Sequence, residues 1–409
     1  MTNIIPFKAI RPVRDKVQLV ASRPFYAYSK KMLSAKLKGN PYTFIHIINP
    51  EFHKKNKTKA NTPERFFKVK NEFERFLKKG IFIQDEKESL YVYKQTSKKH
   101  EFLGIIGGAD LKEYENNQIK KHEATLTQRE LTFSNYLDIV HFNAEPVLLF
   151  HQDNASIDQL LIETSQTRAE YEYTTTDKIK HELWLVDKPT QIKAFQSAFA
   201  QLNETYIADG HHRCASSYRF YKSNPKKSII NQHTLAFFIS ESRMNIMDFN
   251  RVVKDLNGYS NDEFIALIKQ NFDISEPIIK KIAPSSAGIL TMYLNERWYV
   301  LSPKPDKIDK EHPIKSIDTQ ILTELILEPI LNITDLKTDK RINFVSGDKG
   351  IKGLKTMVDK GLAKVAFALY PVTPNQIINV SNADMIMPPK STWIEPKMRS
   401  GLIIYPLEH

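Results

Sequence analysis

At 409 residues the chain is long enough for two or three packed units, and a hydrophobic fraction of 41% gives each of them a core. A charged fraction of 26% and a mean hydropathy of -0.42 are ordinary for globular proteins and exclude a largely disordered or fibrous chain. No stretch approaches the roughly 18 apolar residues of a membrane span.

The first residues, MTNIIPFKAIRPVR, lack the long apolar segment of a secretion signal. Cys214 is the sole cysteine, so no intrachain disulfide forms, which suits a reducing, cytoplasmic setting. The net charge of +12 and pI near 9.3 raise the question of nucleic acid. Lysine supplies most of the cations, in scattered pairs: Lys54-Lys55, Lys78-Lys79, Lys98-Lys99, Lys120-Lys121, Lys226-Lys227 and Lys280-Lys281. Such pairs form a solvated surface, whereas a dedicated nucleic-acid binder concentrates arginine and aromatics on one element, so nucleic acid is not the favoured partner.

In chain order, Tyr42 to Ile48 reads as a strand after the Asn40-Pro41 turn, and Pro63 to Lys79 as an amphipathic helix stopped by Gly80. Leu90–Tyr93, Phe102–Ile106, Pro146–Phe150 and Leu183–Val186 read as strands, and Pro189 to Leu202 as a helix with proline in its first turn. Further on, Leu290–Tyr293 and Trp298–Leu301 form a hairpin through Asn295-Glu296. Ile317–Leu331, Gly350–Lys360 and Thr373–Asp384 are helical, with Ile342–Val345 and Val365–Tyr370 as strands between them. Strands alternating with helices without strict βαβ regularity predict a mixed α/β to α+β protein. Three regions are expected: an N-terminal α+β region over 1–125, a core over 126–230 and a C-terminal α+β region over 231–409.

The strongest chemical signal is Tyr206-Ile-Ala-Asp-Gly-His-His-Arg213. Tyr206–Ala208 reads as a strand end, Asp209-Gly210 as a tight turn, and Ala215–Tyr221 as a helix. A strand, a glycine turn and a helix N-terminus make an anion site, because free amides and the helix dipole point the same way. Arg213 can clamp a phosphate in bidentate fashion. Asp209 can hold magnesium or accept a hydroxyl proton, while His211 and His212 can donate to a phosphoryl oxygen or shuttle protons. The competing reading makes Asp209 a helix cap, which accounts for one of the four polar residues. Zinc on His211-His212 finds no HxxxH or CxxC companion, and adjacent histidines at a helix start point apart. Cys214 reads as a small buried thiol.

Three other segments carry polar groups. Lys121-His-Glu-Ala-Thr125, with Glu130 beyond it, sets His122 beside Glu123 as an acid/base pair, or is simply a solvated helix start. Gly347-Asp-Lys-Gly-Ile-Lys-Gly353 lacks P-loop spacing and reads as a strand-to-helix turn with Asp348 near the N-cap. Met387-Pro-Pro-Lys-Ser-Thr-Trp393, followed by Glu395-Pro-Lys397, is a rigid loop whose Lys390, Ser391 and Thr392 either line a pocket or pack a C-terminal crossing.

Taken together, Ile5–Pro12, Asn40-Pro-Tyr42, Lys121–Thr125, Ile207–Arg213, Leu325–Leu331, Arg341–Val345 and Met387–Lys390 resemble the bacterial and archaeal family known as domain of unknown function 1015. One departure is Ala27, which stands after Pro24-Phe-Tyr26 where the family has the aspartate of a PPYD run. The DGHHR box is similar to the motif of the ParB/sulfiredoxin-like superfamily, which implies a nucleotide-binding core of that type. His211 in place of a cysteine argues against sulfiredoxin activity, and no arginine-rich box or helix-turn-helix supports a partition protein.

The remaining analogue, a free-serine-kinase-like phosphotransferase, implies roles in transfer for Asp209, His211, His212, His122 and Glu123. It implies phosphate contacts for Gly210, Arg213, Thr125 and Lys390, and magnesium at Asp209. Glu182 is the other candidate for the glutamate such a kinase takes from an earlier segment. The expected activity is therefore a magnesium-dependent phosphotransferase or nucleotide hydrolase, using ATP, ADP or CTP and a small hydroxyl-bearing metabolite. The alternative is a non-catalytic nucleotide sensor or a DNA-associated protein.

Overall fold

In the computed structural model, residues 1–224 and 228–407 are described; the Lys226-Lys227 pair lies outside them. The chain forms two compact units, Met1–Met244 with Pro396–His409, and Asn245–Glu395. Both mix helices with sheets, so the architecture is mixed α/β. No helix among the described residues is long and apolar enough to cross a membrane.

The first unit is organised around a nine-stranded sheet. Its strands are β1 (Ile4–Ile5), β2 (Leu90–Thr96), β3 (Glu101–Asp110), β4 (Ile119–Lys120), β5 (Val147–His151), β6 (Tyr171–Thr174), β7 (Lys180–Val186), β8 (Thr205–Asp209) and β9 (His233–Ser240). Their spatial order is β4-β8-β5-β9-β3-β2-β7-β6, with β1 joined to β3. The pairs β4–β8 and β5–β9 are parallel and the other pairs antiparallel. The run Val147-Leu-Leu-Phe-His151 is buried throughout, as expected of a central strand covered on both faces. Gly104 on β3 is forced by a close approach: a Cβ there would lie 2.3 Å from the Phe238 carbonyl oxygen on β9. One face packs Leu149, Ile207 and Phe238 against Leu111 of α1 (Leu111–Glu115), Leu161 of α2 (Ala155–Ser165), Phe195 and Phe199 of α3 (Pro189–Phe199), and Cys214 of α4 (His211–Ser223).

This sheet runs through both regional boundaries expected from the sequence. β4 from the 1–125 region pairs with β8 from the next, and β9, beyond residue 230, lies in the middle of the same sheet. Backbone pairing therefore unites the segments that composition separated.

Most predicted elements form within a residue or two of expectation, including the helix Pro63–Lys78 and the hairpin Leu290–Leu294 with Arg297–Pro303. Tyr42 to Ile48 does not form a strand. The Asn40 side chain accepts the Tyr42 amide at 3.0 Å, and one helical turn follows at Ile45–Ile48. That turn buries Phe44, Ile45 and Ile47 together, which overrides the β-propensity of the isoleucines. The lysine pairs at 54, 78, 98 and 280 are exposed, but Lys120-Lys121 is half-buried. Lys120 pairs with Glu204 at 3.7 Å, and the Lys121 ammonium lies 4.6 Å from the Tyr114 ring centroid.

The second unit contains a six-stranded sheet of antiparallel strands: β10 (Phe249–Val253), β11 (Phe272–Ile274), β12 (Leu290–Leu294), β13 (Arg297–Pro303), β14 (Ile342–Ser346) and β15 (Val365–Ala368). Their order is β11-β13-β12-β15-β10-β14. The expected helix over 317–331 is α-helical at Asp318–Leu322 and π-helical at Thr323–Leu327. Asp348 is not the cap of the following helix; it accepts the Ser346 hydroxyl instead, and Lys349 occupies the uncapped N-cap. Lys390, expected at a phosphate, belongs to this unit, where its ammonium lies 5.7 Å from the Phe249 ring centroid. Ser391 donates to the Pro388 carbonyl, so this part of the proline-rich segment is packed structure.

Candidate functional site

The 206–213 box ends β8 and begins α4. The register of β8 against β5 shifts between Ile207 and Asp209, an irregularity that re-aims the strand end. Gly210 follows at φ +103°, a backbone conformation that favours glycine, and a Cβ there would sit 3.0 Å from the Arg213 guanidinium, which would have to give way. The helix starts at His211, four residues before the predicted start, with Gly210 as its N-cap and no capping side chain. The capping role considered for Asp209 is therefore not the one it takes, and the first-turn amides have no side-chain acceptor.

Asp209 is instead held between two cations. Arg213 donates to its Oδ2 and to the Pro146 carbonyl. Lys397 donates to its Oδ1 at 2.7 Å. Burial alone would raise the Asp209 carboxyl, but Arg213 and then Lys397 pull it down to about 2. Two cations already hold this carboxylate, and their charge disfavours the resident magnesium ion expected at Asp209. Tyr26, Glu145 and Pro146 line the recess around this triad.

Arg213 and Glu145 also border a second, larger cavity of about 570 Å³. Its walls are mostly apolar, with Phe66, Val69, Phe133, Tyr136 and Leu137, and it reaches Ser216 and Ser217 on α4. A volume of this size suits a drug- or nucleoside-sized ligand.

The parallel pairing of β4 with β8 delivers the 121–125 segment to the other side of the box. His122 becomes fully buried, and its ring lies 4.5 Å from that of His211 at 83°. The His122 backbone amide donates to His211 Nε2 at 3.4 Å, and His211 Nδ1 lies 3.4 Å from Glu123 Oε2. Neither ring nitrogen of His122 has a hydrogen-bond partner, nor does Nδ1 of His212. Burial pushes both His122 and His211 down to about 3, so both imidazoles are neutral near pH 7. Burial also lowers His212 and raises the Cys214 thiol to about 12, consistent with an inert buried cysteine.

The predicted site residues thus divide. Asp209, Gly210 and Arg213 line or flank the recess, while His122, Glu123 and His211 form a separate cluster. Thr125 donates to Glu130 at 2.5 Å, and Arg219 holds the other Glu130 oxygen at 2.7 Å, so that hydroxyl is already engaged. Of the two glutamate candidates, Glu123 meets the box, whereas Glu182 pairs with Lys94 and Lys180 within the sheet. Lys397 and Tyr26 are site-lining residues that sequence reasoning did not assign. Their segments, Glu395-Pro-Lys397 and Pro24-Phe-Tyr26, stand out in the sequence, but nothing local connects them with position 209.

Comparison with solved structures finds a free serine kinase in complex with AMP, at 12% identity, covering 73% of this chain and 91% of that one with a TM-score of 0.34. It also finds SbnI with a C-terminal truncation from Staphylococcus aureus, at 10% identity, 73% and 85% coverage and a TM-score of 0.39. A conserved hypothetical protein from Pyrococcus furiosus is similar at 13% identity, with 72% and 91% coverage and a TM-score of 0.33. No match is found among curated proteins. The sequence itself matches a family over residues 4–320, most of the first unit and part of the second, and on that match the chain belongs to the family described as protein of unknown function DUF1015.

Proposed function

We propose that the first unit binds a nucleotide-like phosphate ester and transfers its terminal phosphoryl group to a small hydroxyl compound or to water. The observation that carries this reading is the position of Arg213, which borders both the recess of Asp209 and Lys397 and the 570 Å³ apolar cavity. An apolar body with an anionic end matches that pairing of surfaces. The uncapped N-terminus of α4 adds first-turn amides and the positive end of a 13-residue helix. On this reading the core is of the ParB/sulfiredoxin-like kind that the box resembles.

In the proposed step, phosphate oxygens exchange places with Asp209 as partners of Arg213 and Lys397. That exchange releases the Asp209 carboxylate to orient the acceptor hydroxyl. The acceptor oxygen forms the new P–O bond as the bridging P–O bond breaks, and the acceptor proton passes to a carboxylate or solvent. Two cations near the transferring group stabilise its charge. Magnesium, which the resemblance implies, would meet Arg213 and Lys397 at Asp209, and no step here is routed through it.

The test is a thermal-shift screen of ATP, ADP, CTP and GTP with magnesium on wild type and Asp209→Ala. The proposal expects at least one nucleotide to stabilise the wild type, with phosphate release or transfer lost in Asp209→Ala. A wild type indifferent to all four would sink it.

A further inference from the structure

Beside the recess lies a cluster that the phosphate reading does not use. His122, Glu123 and His211 each offer one ligand-capable atom, and these atoms lie within 4.8 Å of one another. The set consists of two imidazoles and one carboxylate. His122 comes from the segment after β4 and His211 from the first turn of α4, elements 89 residues apart that backbone pairing brings side by side.

A second observation is independent of that proximity. His122 is fully buried and neither of its ring nitrogens has a partner. An imidazole buried without a hydrogen bond is costly, and the groups near it include another imidazole and a carboxylate. A cation bridging the three side chains removes much of that cost. Glu123 is partly exposed, with 44% of its side chain accessible, which gives the cluster an approach from solvent.

We infer that His122, Glu123 and His211 bind one borderline-soft divalent transition-metal ion such as zinc, in a site with three protein ligands and at least one open position. Two nitrogen donors disfavour magnesium and calcium, which take oxygen, and the absence of thiolate among the ligands disfavours a closed structural zinc site. Two imidazoles with one carboxylate and an open position is the pattern of catalytic rather than structural sites. The inference stands whether or not the neighbouring recess binds phosphate.

The full-length protein, stripped with a chelator, is titrated with Zn²⁺ by calorimetry and with Co²⁺ by visible absorption, which reports ligand field and hence nitrogen ligation. One equivalent of each should bind. Affinity should fall roughly 100-fold or more in His211→Ala and roughly 10-fold in Glu123→Gln, as expected for losing a ligand. His100→Gln, an exposed histidine elsewhere, should bind as wild type. Glu123 lies at the surface, so its variant folds even where a histidine replacement does not. The inference fails if folded wild type binds neither ion. It fails equally if Glu123→Gln and His211→Ala bind as wild type, or if Asp209→Asn alone abolishes binding.

Discussion

Lys397 reaches Asp209 across 188 residues of sequence, its ammonium 2.7 Å from Oδ1, while Arg213 holds Oδ2 from one helical turn away. One carboxylate thus faces a local cation and a distant one, and Glu145, which also lines the recess, sets a second carboxylate beside the two cations. An anion entering it meets two cations already gathered in one place.

Replacing Lys397 with Ala tests that balance. The pair's side chains are 22% and 33% accessible, and Arg213 still holds Asp209 in the variant, so the loss should be only about 0.5–1 kcal/mol, read from urea denaturation. If the recess binds phosphate, nucleotide affinity should fall about tenfold or more, because the lost contact is charge-assisted. A large stability loss with unchanged affinity would make Lys397 a purely structural residue.

At Gly210 the expectation concerns backbone. Gly210→Ala puts a Cβ at φ +103° and 3.0 Å from the Arg213 guanidinium. The conformational strain amounts to roughly 1–3 kcal/mol, and Arg213 must move to relieve the contact. The midpoint of denaturant unfolding should fall accordingly; an unchanged midpoint would show that the turn relaxes freely.

The large cavity can be closed without touching the recess. Thr132 lines it from the helix Thr127–Val140, so Thr132→Trp should fill part of the space. Stability should change by no more than about 1 kcal/mol for a substitution at a partly open site. Nucleotide-dependent stabilisation should disappear, and its persistence would place the ligand elsewhere.

Glu113 predicts a pH effect. Burial is the main cause that raises its carboxyl to about 7, and its backbone partner is the Asn3 amide at 2.7 Å. A raised folded-state value means that the folded protein holds this proton more tightly than the unfolded chain. The contribution is therefore full below the unfolded value near 4.5 and is lost as pH rises through about 7. Glu113→Gln should raise the melting temperature relative to wild type at pH 8 and change it little at pH 5. Allowing for solvent screening, the gain at pH 8 should be about 1–2 kcal/mol. Equal shifts at both pH values would exclude titration as the cause.

In the second unit, the hairpin turn places Asn295 at φ 49° and Glu296 at φ 62°. Two positive φ angles define a turn that prefers Asn-Gly. Glu296→Gly should stabilise the protein by about 0.5 kcal/mol, the steric relief being partly offset by the entropy of the unfolded chain. Equilibrium unfolding followed by circular dichroism would show it.

The sequence carried the local half of this protein. Hydrophobic period and stop signals placed the helix Pro63–Lys78, the hairpin at Asn295-Glu296 and the strand–glycine–helix order of the 206–213 box, because those features depend on residues a few positions apart. They failed at Tyr42 to Ile48, where burial of Phe44, Ile45 and Ile47 in a single helical turn overrode strand propensity. The histidines of the box were visible in the residues themselves, whereas His122 and Glu123 joined them only through the family resemblance, since no spacing rule links position 122 to position 211.

What the sequence by itself determined is therefore the chemistry available at the turn: a carboxylate, a glycine, two imidazoles and a guanidinium at the head of a helix. Only the tertiary structure decided which partner each group meets. The parallel pairing of Ile119–Lys120 with Thr205–Asp209 set His122 and Glu123 against His211, and the returning C-terminal segment set Lys397 against Asp209. Sheet pairing and chain return join residues by backbone hydrogen bonds and burial, and neither leaves a period or a spacing in the sequence for a reader to find.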